Sequence, residues 1–254
     1  MRGRRGVVTA VLALAVAAPP SAAADDTLAA RLAQARFSHM QAGAVAPPWR
    51  VVGLPGQKFP LTRFDVQAQD DGTVALRIRA DASYGNLVFD AGPAQLHPAA
   101  RLRWRWRLER GLAQSDLRTR DGDDAPLKVC VLFDMPLDGM SFGEQTSLRI
   151  ARALSGEPLP AATLCYVWDR LLPAGSIVPN VFSARVRYLV AGQGPPRPGQ
   201  WVPVDRPLAE DFLRAFGHET RSLPPLMALA VGADADNTGG SSLAVVGDLL
   251  LVQP

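Results

Sequence analysis

The chain has 254 residues, 48% of them hydrophobic and 20% charged, with 27 basic and 24 acidic side chains. Three of the basic residues fall within the first 24 positions, which hold no acid, so the remainder carries 24 of each sign. That balance excludes a globally basic nucleic-acid or membrane-surface binder, and a remainder of roughly 230 residues suits one all-β domain.

Residues 1–24 carry Arg2, Arg4 and Arg5, then an apolar run from Val7 to Ala18, then Ala22-Ala23-Ala24. This is the three-part layout of a secretory signal peptide, its apolar part too short for a comfortable membrane span, and it predicts a periplasmic or secreted protein. No later apolar stretch approaches membrane length, so no integral membrane segment is expected after cleavage. Residues 25–47 form an N-terminal segment, either a short helix behind Asp25-Asp26-Thr27 or a loose tail.

From residue 48 to 254 the pattern is that of a single β domain. Trp49 to Leu54, Leu61 to Gln67, Thr73 to Asp81 and Gly85 to Asp90 read as short strands parted by turn residues. In Arg101-Leu102-Arg103-Trp104-Arg105-Trp106-Arg107-Leu108, apolar residues alternate with arginines. Successive strand side chains point to opposite faces, so the tryptophans turn inward and the arginines outward. Leu127 to Phe133 is nearly all apolar and reads as a core strand. Ser141 to about Leu154 reads as a helix ended near Gly156; Thr163 to Trp168, Val181 to Val190 and Gln200 to Val204 follow as strands. Pro207 to Phe216 is the clearest helix, with Leu208, Phe212, Leu213 and Phe216 on one side. Leu226 to Val231 and Leu243 to Val252 are the last strands. About eleven strands and two short helices, without regular strand and helix alternation, predict a mostly β, antiparallel two-sheet sandwich of jelly-roll-like form, the helices lying in strand connections.

Four groups of residues could carry chemistry. Cys130 and Cys165 are the only cysteines, and in an exported protein they either form a disulfide or sit as two buried thiols; with three scattered histidines they make no zinc site. Gly139-Met140-Ser141-Phe142-Gly143 matches the nucleophile-elbow pattern, but Ser141 with Glu144 three residues on also makes a capping box. Asp121, Asp123 and Asp124 in one loop, and Asp234, Asp236 and Asn237 in another, supply oxygen ligands of the kind calcium takes. The expected metal ligands are Asp123, Asp124 and Asp236, whose loops should lie close together; turn formation and pairing with arginines are the competing roles. Tyr166, Trp168 and Trp201 are the expected ligand-binding aromatics, with Trp168 and Trp201 placed for exposure at strand ends; packing in the core or at its rim is the competing role. The stripe of Arg103, Arg105 and Arg107 could hold a carboxylate or sulfate, or simply be an ion-paired sheet face.

The Leu-Arg-Trp-Arg-Trp-Arg strand, Arg118-Thr119-Arg120-Asp121-Gly122-Asp123-Asp124, the Val129 to Phe133 strand, Leu164-Cys165-Tyr166-Val167-Trp168, Asp211-Phe212 with Phe216-Gly217, and Asp234-Ala235-Asp236-Asn237-Thr238-Gly239 come in this order. In them the chain resembles the bacterial family catalogued as domain of unknown function 3047, from about Trp49 to Val252. The resemblance implies an exported, jelly-roll-like sandwich of unassigned activity, reminiscent of carbohydrate-binding modules, and transfers no catalytic residue. The resulting expectation is a binding protein for a glycan or another cell-envelope component. The competing readings are a hydrolase, using Ser141 or the aspartates, and a structural envelope protein.

Overall fold

The computed structural model describes residues 22–54, 56–155 and 159–254. Most of the expected leader, and the expected helix stop at Gly156, lie outside the described residues. The described residues begin with helix α1 (Ala22–Gln34), followed by β1 (Gly43–Ala44), β2 (Trp49–Val52), β3 (Arg63–Ala68), β4 (Val74–Asp81), β5 (Tyr84–Ala94), β6 (Arg101–Arg110) and β7 (Lys128–Phe133). After α2 (Phe142–Ser155) come β8 (Ala162–Asp169), β9 (Ile177–Pro179), β10 (Val186–Gln193) and β11 (Val202–Pro207). Helix α3 (Leu208–Phe216) then leads to β12 (Leu226–Asp234), β13 (Ser241–Val246) and β14 (Leu250–Val252).

These strands build two seven-stranded sheets stacked as a jelly-roll-like sandwich. The first has the order β1-β3-β4-β13-β6-β11, with β14 also on β6; the second has the order β2-β5-β12-β7-β8-β10-β9. One pair departs from the expected antiparallel rule: β10 runs parallel to β8, because the intervening chain turns back through β9 before entering β10. β13 and β14 lie one after the other along the same side of β6, where the Gly247 amide bonds the Arg105 carbonyl.

The two-residue rhythm of β6 sets the core. Trp104 and Trp106 are 4% and 0% exposed, while Arg103 is exposed and Arg105 and Arg107 lie half-buried on the other face. Across the sandwich, Trp104 meets Tyr166 of β8 at 5.3 Å between ring centres and Trp106 meets Trp168 at 6.0 Å. Such ring pairs add about 0.5–1.5 kcal/mol each beyond the area they bury, so this seam ties one sheet to the other.

Helix α3 closes the space between the sheets at one edge. Leu208, Phe212 and Phe216 are buried, with Phe212 packed on Phe133 at 4.7 Å. Leu213, expected on the same side, is 36% exposed; its position in the helical turn carries it past the buried stripe. The buried Asp211 of this helix takes two bonds from the Arg206 guanidinium, at 2.5 and 2.7 Å, and accepts the Tyr166 hydroxyl at 3.1 Å.

Candidate functional site

The second sheet is buried on both faces over much of its area. Strand parity puts Tyr84, Asn86, Val88 and Asp90 of β5, Ala228, Ala230 and Asp234 of β12, Lys128, Cys130 and Leu132 of β7, and Cys165 of β8 on its outer face. Cys130 stands directly opposite Cys165 and the two are bonded. A second apolar cluster, including Leu117 and Ala125 from the 111–126 loop and Leu172 from the 170–176 turn, roofs this part of the face.

Beneath that roof is a buried charge cluster. The Lys128 ammonium meets an Asp234 oxygen at 2.7 Å and lies 4.8 Å from the Tyr84 ring centre; the other Asp234 oxygen accepts the Ala125 amide at 2.8 Å. Asp124 accepts the Asn237 and Thr238 amides at 3.2 and 2.7 Å, and Asp123 accepts Asn180 Nδ2 at 2.5 Å. The two acidic loops therefore do come together, as expected. Burial and the neighbouring Asp234 push both Asp123 and Asp236 up to about 6. Burial alone would lower Lys128, but Asp234 and the other negative groups around it outweigh that and hold it above its ordinary range. Burial likewise raises Asp234, against the pull of Lys128. Both shift upward in a cluster that holds more acids than bases.

The partners of these carboxylates are the protein's own donors. Among the described residues no three His, Cys, Asp or Glu side chains are disposed to hold a metal ion. Most of the carboxylate oxygens are committed to backbone amides, Asn180 and Lys128, and the cation at the centre is the lysine. A lone Lys in the apolar run Leu127 to Phe133 was the sequence signal for it.

Of the three expected ligand-binding aromatics, two lie buried. Tyr166 and Trp168 are 0% and 4% exposed, Tyr166 in the seam between the sheets and Trp168 with its indole N–H bonded to the Gly194 carbonyl. Neither offers a free face, because β8 is covered on both sides. Trp168 does border a cavity of about 370 Å³ with Leu112, Arg170 and Pro196. Trp201 is half-buried on the outer face of the first sheet, under the Arg105 and Arg107 guanidinium groups at 4.2 and 4.9 Å.

Ser141 is a helix cap. Its hydroxyl donates to Glu144 at 2.7 Å, its amide bonds the same carboxylate at 3.1 Å, and among the described residues no histidine bonds it.

Where the roof ends, the outer face of the second sheet opens into a groove of about 950 Å³. Its floor is Val88, Leu132 and Ala228, and its charged groups are Arg50, Asp90 and Asp134. Strand positions account for this: Arg50 lies opposite Val88, and Asp90 and Leu132 lie on either side of Ala228. Gly53, Leu54, Gly56, Phe59 and Leu61 line one wall around Gln57, which accepts the Leu54 amide at 2.9 Å and donates to the Phe59, Pro60 and Tyr84 carbonyls at 2.9–3.1 Å. Gly53 belongs there because a Cβ would stand 2.7 Å from the Gln57 and Leu61 side chains. Arg50 holds Asp90 through two bonds at 2.9 and 3.2 Å, with the two side chains 40% and 58% exposed. A pair this exposed contributes only about 0–1 kcal/mol, so a ligand can compete for either partner at small cost. The groove thus offers donors and acceptors around an apolar floor. Sequence reasoning missed it because its parts come from five separate stretches of chain.

Comparison with known proteins follows this geometry. The family model described as protein of unknown function (DUF3047) matches residues 47–250. No curated protein matches the chain. Similar solved structures include a native family 12 xyloglucanase from Bacillus licheniformis, at 8% identity and TM-score 0.41, covering 82% of this chain and 88% of that one. Endoglucanase 3 of Trichoderma harzianum, from family GH12, has 9% identity and TM-score 0.40, covering 83% of this chain and 100% of its own. The arabinose-bound MgGH51 α-L-arabinofuranosidase has 8% identity and TM-score 0.38; 86% of this chain is covered, and it spans 25% of that enzyme's length.

Proposed function

The chain belongs to the DUF3047 family, whose function is unassigned, and from that premise we propose that it is an exported binding protein that takes a saccharide into the groove on its second sheet. The observation that carries this reading is the groove itself: about 950 Å³, floored by Val88, Leu132 and Ala228 and edged by Arg50, Asp90 and Asp134. A sugar ring presents C–H faces and hydroxyl edges, and needs apolar contact and hydrogen bonds together, which is what such a surface supplies. The amino-terminal layout supports export, and so does the Cys130–Cys165 bond, since disulfides persist in oxidising compartments.

The test is binding to an array of cell-wall and polysaccharide fragments, followed by calorimetry on the strongest ligand. Asp90→Asn with Asp134→Asn should weaken binding about tenfold or more, because each removes a charged acceptor worth about 1.5 kcal/mol or more to a bonded hydroxyl. Silence across the array, or full affinity in the double variant, overturns the reading.

A further inference from the structure

The outer face of the first sheet is rich in arginine, and most of that charge is neutralised. Arg77 holds Asp65 through bonds at 2.7 and 3.1 Å, Arg101 and Arg103 share Asp205 at 2.6 and 3.0 Å, Arg105 meets Asp71 at 3.3 Å, and Arg107 meets Glu109 at 2.5 Å. The stripe that the sequence offered as an anion grip is therefore already paired.

At one end of the same face the arrangement is different. Arg63 of β3 stands directly opposite Arg79 of β4, and Arg79 and Arg110 of β6 both stand opposite Leu243 of β13. Three exposed guanidinium groups thus share one row across four adjacent strands. Among the described residues Arg63 and Arg110 make no ion pair or side-chain hydrogen bond. Arg79 reaches only an Asp65 oxygen at 3.5 Å, on the carboxylate already held by Arg77. The three arginines line a pocket of about 230 Å³, together with Ser83, Ser241 and a single acid, Asp81. Like charges placed directly across a sheet destabilise it, so this row carries a cost that a bound anion would remove.

We propose that this pocket binds an oxyanion, a carboxylate, sulfate ester or phosphate ester carried on a sugar-sized group. Guanidinium is planar and presents paired N–H donors at the spacing of oxygens in all three anions. The volume is below that of a drug-sized site and admits one small ring with its charged group. The pocket adjoins the groove of the second sheet, Leu61 bordering both, but its case rests on the arginines alone.

The experiment titrates the protein with glucuronate, glucose 6-sulfate and glucose 6-phosphate, with glucose as the neutral control, and follows amide chemical shifts. At least one of the three should bind tenfold or more tightly than glucose, with shifts centred on Arg63, Arg79 and Arg110; their ranking identifies the preferred oxyanion. Arg63→Gln with Arg110→Gln should lower that affinity about tenfold or more, as loss of charge-assisted bonds requires, while the paired Arg103→Gln should leave it unchanged. Both are exposed substitutions, and unchanged circular dichroism confirms that the fold is kept. Binding equal to that of glucose, binding by none of the three, or full affinity in the double variant overturns the proposal. So does an affinity lost in Asp90→Asn with Asp134→Asn but kept in the arginine variant, which would place the ligand in the groove.

Discussion

Replacing Lys128 by Met tests the physical account of the buried cluster most directly. The Lys128 and Asp234 side chains are only 5% and 6% exposed, and the lysine is the base at the centre of Asp123, Asp234 and Asp236. Met fills similar space, so the loss is electrostatic: a buried carboxylate left without its partner, among other acids. Breaking one side of such a pair costs about 3–5 kcal/mol. For a domain of this size, each kcal/mol moves the melting midpoint by about 2–4 °C, so a fall of about 6–20 °C is expected in calorimetry at pH 7. Adding Asp234→Asn removes the stranded charge and keeps an acceptor for the Ala125 amide, which Asp234 now bonds at 2.8 Å. The double variant should therefore be more stable than Lys128→Met alone, with a coupling of about 0.5–3 kcal/mol. A single variant melting within about 2 °C of the parent, or a double variant less stable than the single one, refutes the reasoning.

Three further outcomes follow from the same structure. Asp123 is raised to about 6 from an ordinary 3.8, so the folded state holds its proton more tightly than the unfolded chain, and stability from this group declines as pH rises from about 4 through 6. Asp123→Asn, which mimics the protonated form, should melt higher than the parent at pH 7.5 and alike below pH 4; equal midpoints at both would refute it. Reducing the Cys130–Cys165 bond, which closes a separation of 35 residues, should cost about 3–4 kcal/mol in urea unfolding, and no change on adding dithiothreitol would count against it. Ser141→Ala should lower stability by about 1 kcal/mol through loss of the cap, and a fluorophosphonate probe should label neither parent nor variant; labelling that the substitution abolishes would reinstate a nucleophile.

Where one periodic signal decides an element, the sequence is legible. β6 shows this: alternation alone places Trp104 and Trp106 inside and the arginines outside. The Ser141 and Glu144 capping box and the buried stripe of α3 are equally local, and were readable for that reason. The proximity of the two acidic loops was also anticipated, but not what holds them, because Lys128, only four residues beyond Asp124, reaches Asp234 through the pairing of β7 with β12. Trp168 failed for a similar reason. Its strand, Leu164-Cys165-Tyr166-Val167-Trp168, lacks alternation, which marks burial on both faces, and a strand-end position does not escape a roof formed by distant loops. The groove and the arginine pocket depend on register between strands far apart in sequence. Parity says that Arg63 and Arg79 face outward, whereas Arg110, an even position of β6 like the buried Leu108, is turned out by the register shift between β6 and β13; the strand order then makes the three neighbours.

The second apolar cluster, on the outer face of the second sheet, gives that sheet packing on two sides where the first has it on one. Amides of β7, β8 and β12 should therefore be the last to exchange with deuterium, and those of β3 and β4 should exchange sooner. The layer under the groove is the stiff half of the sandwich, so a molecule settling there meets a floor already in its final shape and loses little affinity to ordering it.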